Sequence, residues 1–111
     1  MTLQEITRLR MNNQQIEGSS MNTAQELVGW MGAMQAQDYA MAKWAIGQRL
    51  PVSTDASVEA AYNRGDILRT HLMRPTWHFV SADDIFWMLD LTAPRIKQAL
   101  KAREKQLELN E

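Results

Sequence analysis

Ile67-Leu68-Arg69-Thr70-His71-Leu72-Met73-Arg74-Pro75-Thr76-Trp77-His78-Phe79-Val80 is where the chain changes period. Upstream, apolar residues recur every three or four positions, as on a helix face. Here they crowd into two short runs rich in β-branched and aromatic residues. Ile67–Leu72 and Trp77–Val80 read as two strands around Arg74-Pro75, with Trp77 and Phe79 on one face because strand side chains alternate. Helices followed by a two-stranded hairpin describe a mainly α, winged-helix-like module.

Outward from the hairpin, helix starts are legible. Thr2-x-x-Glu5 and Thr23-x-x-Glu26 fit the capping box, in which hydroxyl and carboxylate satisfy free backbone N–H groups reciprocally. The first opens a helix through about Asn13. The second opens a helix whose periodic residues Ala24, Leu27, Val28, Met31 and Met34 place Gln35 at its end. A third helix is expected over Tyr39–Gln48, burying Trp44 and stopped by Pro51. Ser53-Thr54-Asp55 offers N-caps for a short helix carrying Val58, Ala61 and Tyr62, and Gly65 stands where a left-handed C-terminal residue belongs. After the hairpin, Ser81-x-x-Asp84 is expected to cap one helix and Thr92-x-Pro94 to open a last one. Trp30, Trp44, Trp77 and Trp87 are all placed for core packing. Asp83 and Asp84 complement a helix dipole.

The chain has 111 residues, 45% apolar and 23% charged, which suits one small globular domain over 1–111. No cysteine and only two histidines, His71 and His78, argue against a disulfide scaffold or a metal cluster. No run approaches the roughly 20 apolar residues of a membrane span, and the N-terminus has no secretory pattern, so a cytoplasmic location without membrane contact is expected. A net charge of −1 gives no global nucleic-acid signal. Arg64, Arg69 and Arg74 cluster with both histidines, either as a stripe that meets phosphates or as a solvated strand face.

Met34-Gln35-Ala36-Gln37-Asp38 sets a geometric condition. Residues two apart on a helix point to nearly opposite sides, so both amides serve one site only if the helix stops and the backbone extends. Taken together, Met31-Gly-Ala-Met-Gln-Ala-Gln37, Arg69-Thr-His-Leu-Met-Arg74 and Thr76-Trp-His78 resemble the opening region of the winged-helix family of AlkZ-like bacterial DNA glycosylases. Pro75 stands where that family usually has glycine. Some relatives carry aspartate as the second member of the pair, but Asp38 comes one place too late for that role.

The resemblance implies the N-terminal part of a larger multi-winged-helix protein that hydrolyses the N-glycosidic bond of alkylated purines in duplex DNA. Gln35 and Gln37 would flank the catalytic water, and Arg69, Arg74, Thr76 and His78 would face the DNA, the arginines as phosphate contacts or as structural supports. It implies no cofactor and no metal. Further domains of the same protein or a dimer partner would cover the polar last helix. The alternative is a non-catalytic winged-helix DNA-binding or protein-interaction domain. Against sequence-specific reading stands the helix around Asp55–Tyr62, which is acidic and nearly free of lysine and arginine.

Overall fold

Thr2 caps the first helix as its box requires: its hydroxyl accepts from Glu5 N–H at 3.1 Å, and Glu5 Oε2 accepts from Thr2 N–H at 2.8 Å. The computed structural model describes residues 1–72 and 76–107. In chain order it contains α1 (Leu3–Asn13), α2 (Ala24–Met31), β1 (Ala33–Gln35), α3 (Tyr39–Gly47), α4 (Asp55–Arg64), β2 (Ile67–His71), β3 (Trp77–Ser81) and α5 (Ile85–Gln106). The described residues therefore form five helices and a three-stranded antiparallel sheet of order β1-β3-β2, an arrangement compatible with a winged-helix-like fold.

The second box is only half made. Thr23 Oγ1 accepts from Glu26 N–H, whereas Glu26 Oε2 accepts from Asn22 N–H and not from Thr23. At α4 the reciprocal pair is Thr54 with Ser57, and Gly65 ends the helix in the left-handed region at φ 82°.

The hairpin has a third strand that periodicity concealed. The helical spacing of Met31 and Met34 carried α2 up to Gln35, but α2 stops at Met31. Gly32 then takes φ 82° and ψ −71°, near a γ-turn geometry that L-residues rarely adopt. Met34 and Gln35 consequently lie on β1, where Met34 pairs with Phe79 and Gln35 with His78.

The last two helices are one. Ser81 is buried, and its hydroxyl accepts from Asp83 N–H at 3.2 Å, closing a turn before α5. α5 then runs through Thr92 and Pro94 without a break. Pro94 has no N–H to give the Asp90 carbonyl, and the Thr92 hydroxyl donates one turn back to the Met88 carbonyl at 2.9 Å.

The two sheet faces are covered differently. Met34, Ile67 and Phe79 face α2–α4 and join Leu27, Ile46 and Val58 in the main core. Tyr39 and Tyr62 pack edge-on to Phe79, with ring centroids at 6.2 and 5.9 Å. Truncating the fully buried Phe79 would cost about 3–5 kcal/mol. The other face is smaller: Val80 and Leu72 meet Met88, with Ala33, Leu68 and Ile85 alongside.

Three tryptophans expected in the core are outside it. Trp30, Trp44 and Trp87 are 51%, 61% and 53% exposed. The small residues Ala42 and Ala61 are buried in the main core instead, and the Trp87 indole N–H donates to Asp84 Oδ1 at 2.9 Å. α1 buries no residue, and α5 buries only Met88. Both project, so the radius of gyration is 17.0 Å against about 13 Å for a compact chain of this length.

Because Gly32 is required for its backbone angles, Gly32→Ala should lower stability by about 1–3 kcal/mol in urea denaturation. A Cβ there meets nothing within 4 Å, so the cost is conformational and not a clash. Unchanged stability would contradict the turn geometry.

Candidate active site

Met34-Gln35-Ala36-Gln37 runs extended out of β1 and into the start of α3, whose N-cap is Asp38, with Oδ1 accepting from Met41 N–H at 3.1 Å. The helix therefore stops where two amides sharing one site require it to stop. Gln35 and Gln37 line one open recess of about 330 Å³ together with Asp38, Met41, Ala42 and Ala45. Both glutamines are exposed, while Ala36 between them is fully buried and anchors the segment in the core.

The backbone leaves the sheet here by an exchange of acceptors. Ala36 N–H donates to the Trp77 carbonyl at 2.8 Å, continuing the ladder. In a regular antiparallel pair Trp77 N–H would donate back to the Ala36 carbonyl. It donates instead to Gln37 Oε1 at 2.9 Å. The displaced Ala36 carbonyl accepts from Arg69 Nε at 2.9 Å, and the Gln37 carbonyl accepts from Arg69 Nη2 at 3.1 Å. Arg69 reaches there from β2 across β3, with its guanidinium 5.0 Å from the Trp77 ring centroid and 5.9 Å from that of Tyr39. These contacts make Arg69 a support of the recess.

Of the other residues singled out from sequence, His78 sits on β3 opposite Gln35 on one side and Thr70 on the other. Its Nδ1 lies 3.3 Å from the carbonyl of Thr76, which is half-buried immediately before β3. Arg74 lies outside the described residues. His71, grouped from sequence with the arginine stripe, stacks on Trp77 with centroids 3.9 Å apart. Among the described residues no three His, Asp or Glu side chains gather as a metal site, and no helix is long and apolar enough to cross a membrane.

The wall of the recess is held by residues that sequence reasoning did not single out. Lys43 on α3 bridges Asp55 at 3.2 Å and Glu59 at 3.4 Å on α4. Desolvation alone would lower its pKa, but the two carboxylates raise it above the ordinary value. Burial, followed by the Glu59 carboxylate, raises the Tyr39 phenol and favours its neutral form. Arg49, only 9% exposed, donates to the Gln14 carbonyl at 2.8 Å and to the Ala45 carbonyl at 2.6 Å, tying the loop after α1 to α3. Desolvation lowers its pKa, yet a guanidinium stays charged in a protein. Asp38 was findable as an N-cap one place before a helix start. Arg49 and Lys43 gave no local signal, because their partners are distant in sequence.

Gln37→Ala should leave Trp77 N–H without its acceptor. The expected outcome is faster hydrogen exchange at that amide and a stability loss of about 0.5–1.5 kcal/mol, with neither seen in Gln35→Ala. Equal protection in both variants would remove Gln37 from the backbone accounting.

The sequence of this region has a counterpart among known families. A family model described as DNA glycosylase AlkZ-like matches residues 28–111, from within α2 through the glutamine pair, the sheet and α5. Curated proteins and solved structures gave no match. With about three-quarters of its length matched, including every residue of the recess, the chain belongs to the AlkZ-like DNA glycosylase family.

Proposed function

We propose that this chain takes part in removing alkylated purines from duplex DNA, by hydrolysis of the N-glycosidic bond with a water held between Gln35 and Gln37. The observation that carries this reading is the shared recess: two glutamines one residue apart open onto one cleft at an extended break between helices, inside the span of a glycosylase family match. In the winged-helix reading, α3 and α4 form the helix pair and β2–β3 the wing. Arg74, Thr76 and His78 are then assigned to the duplex.

The residue types suit the chemistry. A purine alkylated at N7 or N3 already carries positive charge, so it departs without the general acid that a neutral base requires. What remains is to hold water against the sugar carbon as an oxocarbenium-like transition state develops. A carboxamide can do this through one carbonyl acceptor with two lone pairs and two N–H donors. With one Gln37 Oε1 lone pair engaged by Trp77 N–H, the second lone pair and the NH₂ group remain for the water. Neutral amides are weak bases, and a good leaving group makes a strong base unnecessary. Positioning then supplies most of the effect.

A non-catalytic DNA-binding or protein-interaction domain is the second reading. It is favoured by that same hydrogen bond, which gives Gln37 a purely structural use.

Release of 7-methylguanine from methylated duplex DNA separates the two. The wild-type chain should release the base, and Gln35→Ala and Gln37→Ala should each slow release by about 100-fold or more, with circular dichroism unchanged. A folded, DNA-binding wild type that releases no base would leave the second reading standing.

A further inference from the structure

α5 is 22 residues long, and its two halves are unlike. Ile85 and Met88 pack toward the sheet, whereas every side chain from Lys97 to Leu107 is exposed. The charge divides at the same place. Residues 1–94 carry seven basic and ten acidic side chains; residues 95–107 carry five basic ones and the single acid Glu104. Lys97, Lys101 and Lys105 stand four residues apart, so they form one stripe along the exposed half. Like charges at this spacing destabilise a helix. Among the described residues the ion pairs lie at Lys43 and Arg64, and the three ammonium groups of the stripe form none. An anionic partner would relieve their mutual repulsion.

We propose that Lys97, Lys101 and Lys105 track the phosphate backbone of duplex DNA. The proposal rests on the DNA reading above and names the surface that supplies its electrostatic grip. The lysines rise about 6 Å apart and span about 12 Å of helix axis. Over that length duplex DNA presents about seven phosphates, and three flexible ammonium groups can select among them. The remainder of the chain is net acidic, and Asp38 lines the glutamine recess itself. The basic arm therefore carries the densest positive charge that this molecule offers a polyanion, alongside Arg74 between β2 and β3 in the sequence. An anionic membrane surface fits less well: the apolar stripe of Ile96, Leu100 and Leu107 is narrow and has Arg103 at its centre, where a membrane-lying helix keeps an unbroken apolar face.

The test is fluorescence anisotropy of the 111-residue chain on an unmodified duplex across a salt series. It compares wild type, the triple variant Lys97→Gln/Lys101→Gln/Lys105→Gln, and the triple Lys→Arg variant. The wild type should bind with a steep dependence of log Kd on log salt. The glutamine variant should lose about 2.7 from that slope, 0.9 per neutralised phosphate, and the arginine variant should retain it. Circular dichroism should show no loss of helix, since the substitutions remove repulsion. A glutamine variant with an unchanged slope overturns the proposal. So does a wild type that binds anionic vesicles but no duplex.

Base release run alongside keeps the two claims distinguishable. Stripe-dependent binding without base release would overturn the glycosylase reading and leave the stripe standing. Base release with the same KM and salt dependence in wild type and glutamine variant would do the reverse.

Discussion

The Arg69 guanidinium, laid across β3 onto the carbonyls of Ala36 and Gln37, is the contact on which the candidate site depends. It accepts the consequences of an irregular chain path. Once Gln37 Oε1 has taken the Trp77 N–H, the Ala36 carbonyl has lost its ladder partner, and a buried carbonyl without a donor is costly. Two N–H groups in a fixed planar fork serve two successive carbonyls at once. A lysine has three N–H donors but no planar fork, so nothing presets their direction. Trp77 and Tyr39 flank the guanidinium, so one side chain joins β2, β3, the glutamine segment and the start of α3. Gly32 provides the other condition by ending α2 early enough for β1 to exist.

Much of this was legible in the sequence, and the misses have physical causes. Thr2, Thr54 and Gly65 announced helix ends because caps are local chemistry, carried by one hydroxyl or by one backbone geometry. The hairpin announced itself through alternation in Trp77-His78-Phe79-Val80. β1 did not, since three residues are too few to display a period and Met34 also fits the helical period of α2. The condition that Gln35 and Gln37 share a face only on extended backbone was the better guide, and the structure extends there. Pro94 misled in the opposite direction: proline suits a first helical turn, but α5 carries it internally. The tryptophans misled because size suggests burial, while the main core here takes the small residues Ala42 and Ala61 instead. Arg69 could be singled out but not assigned between phosphate contact and support, because its acceptors lie more than thirty residues away in sequence.

On the proposed reading, the molecule separates two tasks in space. The sheet, with α2–α4 against one face, makes a small packed body whose irregular edge holds two amides in one recess. The exposed half of α5 gathers the positive charge that this acidic body lacks. A water-positioning site gains from rigidity, since misplacement by about 1 Å costs roughly 100-fold in rate. A phosphate grip tolerates mobile side chains, because its attraction is long-ranged and indifferent to sequence.

The most direct measurement is a double-mutant cycle on base release from methylated duplex, using Arg69→Lys, Gln37→Ala and the combination. If Arg69 acts by holding the glutamine segment in place, the double variant should be scarcely slower than the slower single variant, a coupled pair in which either loss removes the same geometry. Losses that multiply, or a wild type that releases no base at all, would contradict the claim that this contact builds the catalytic recess.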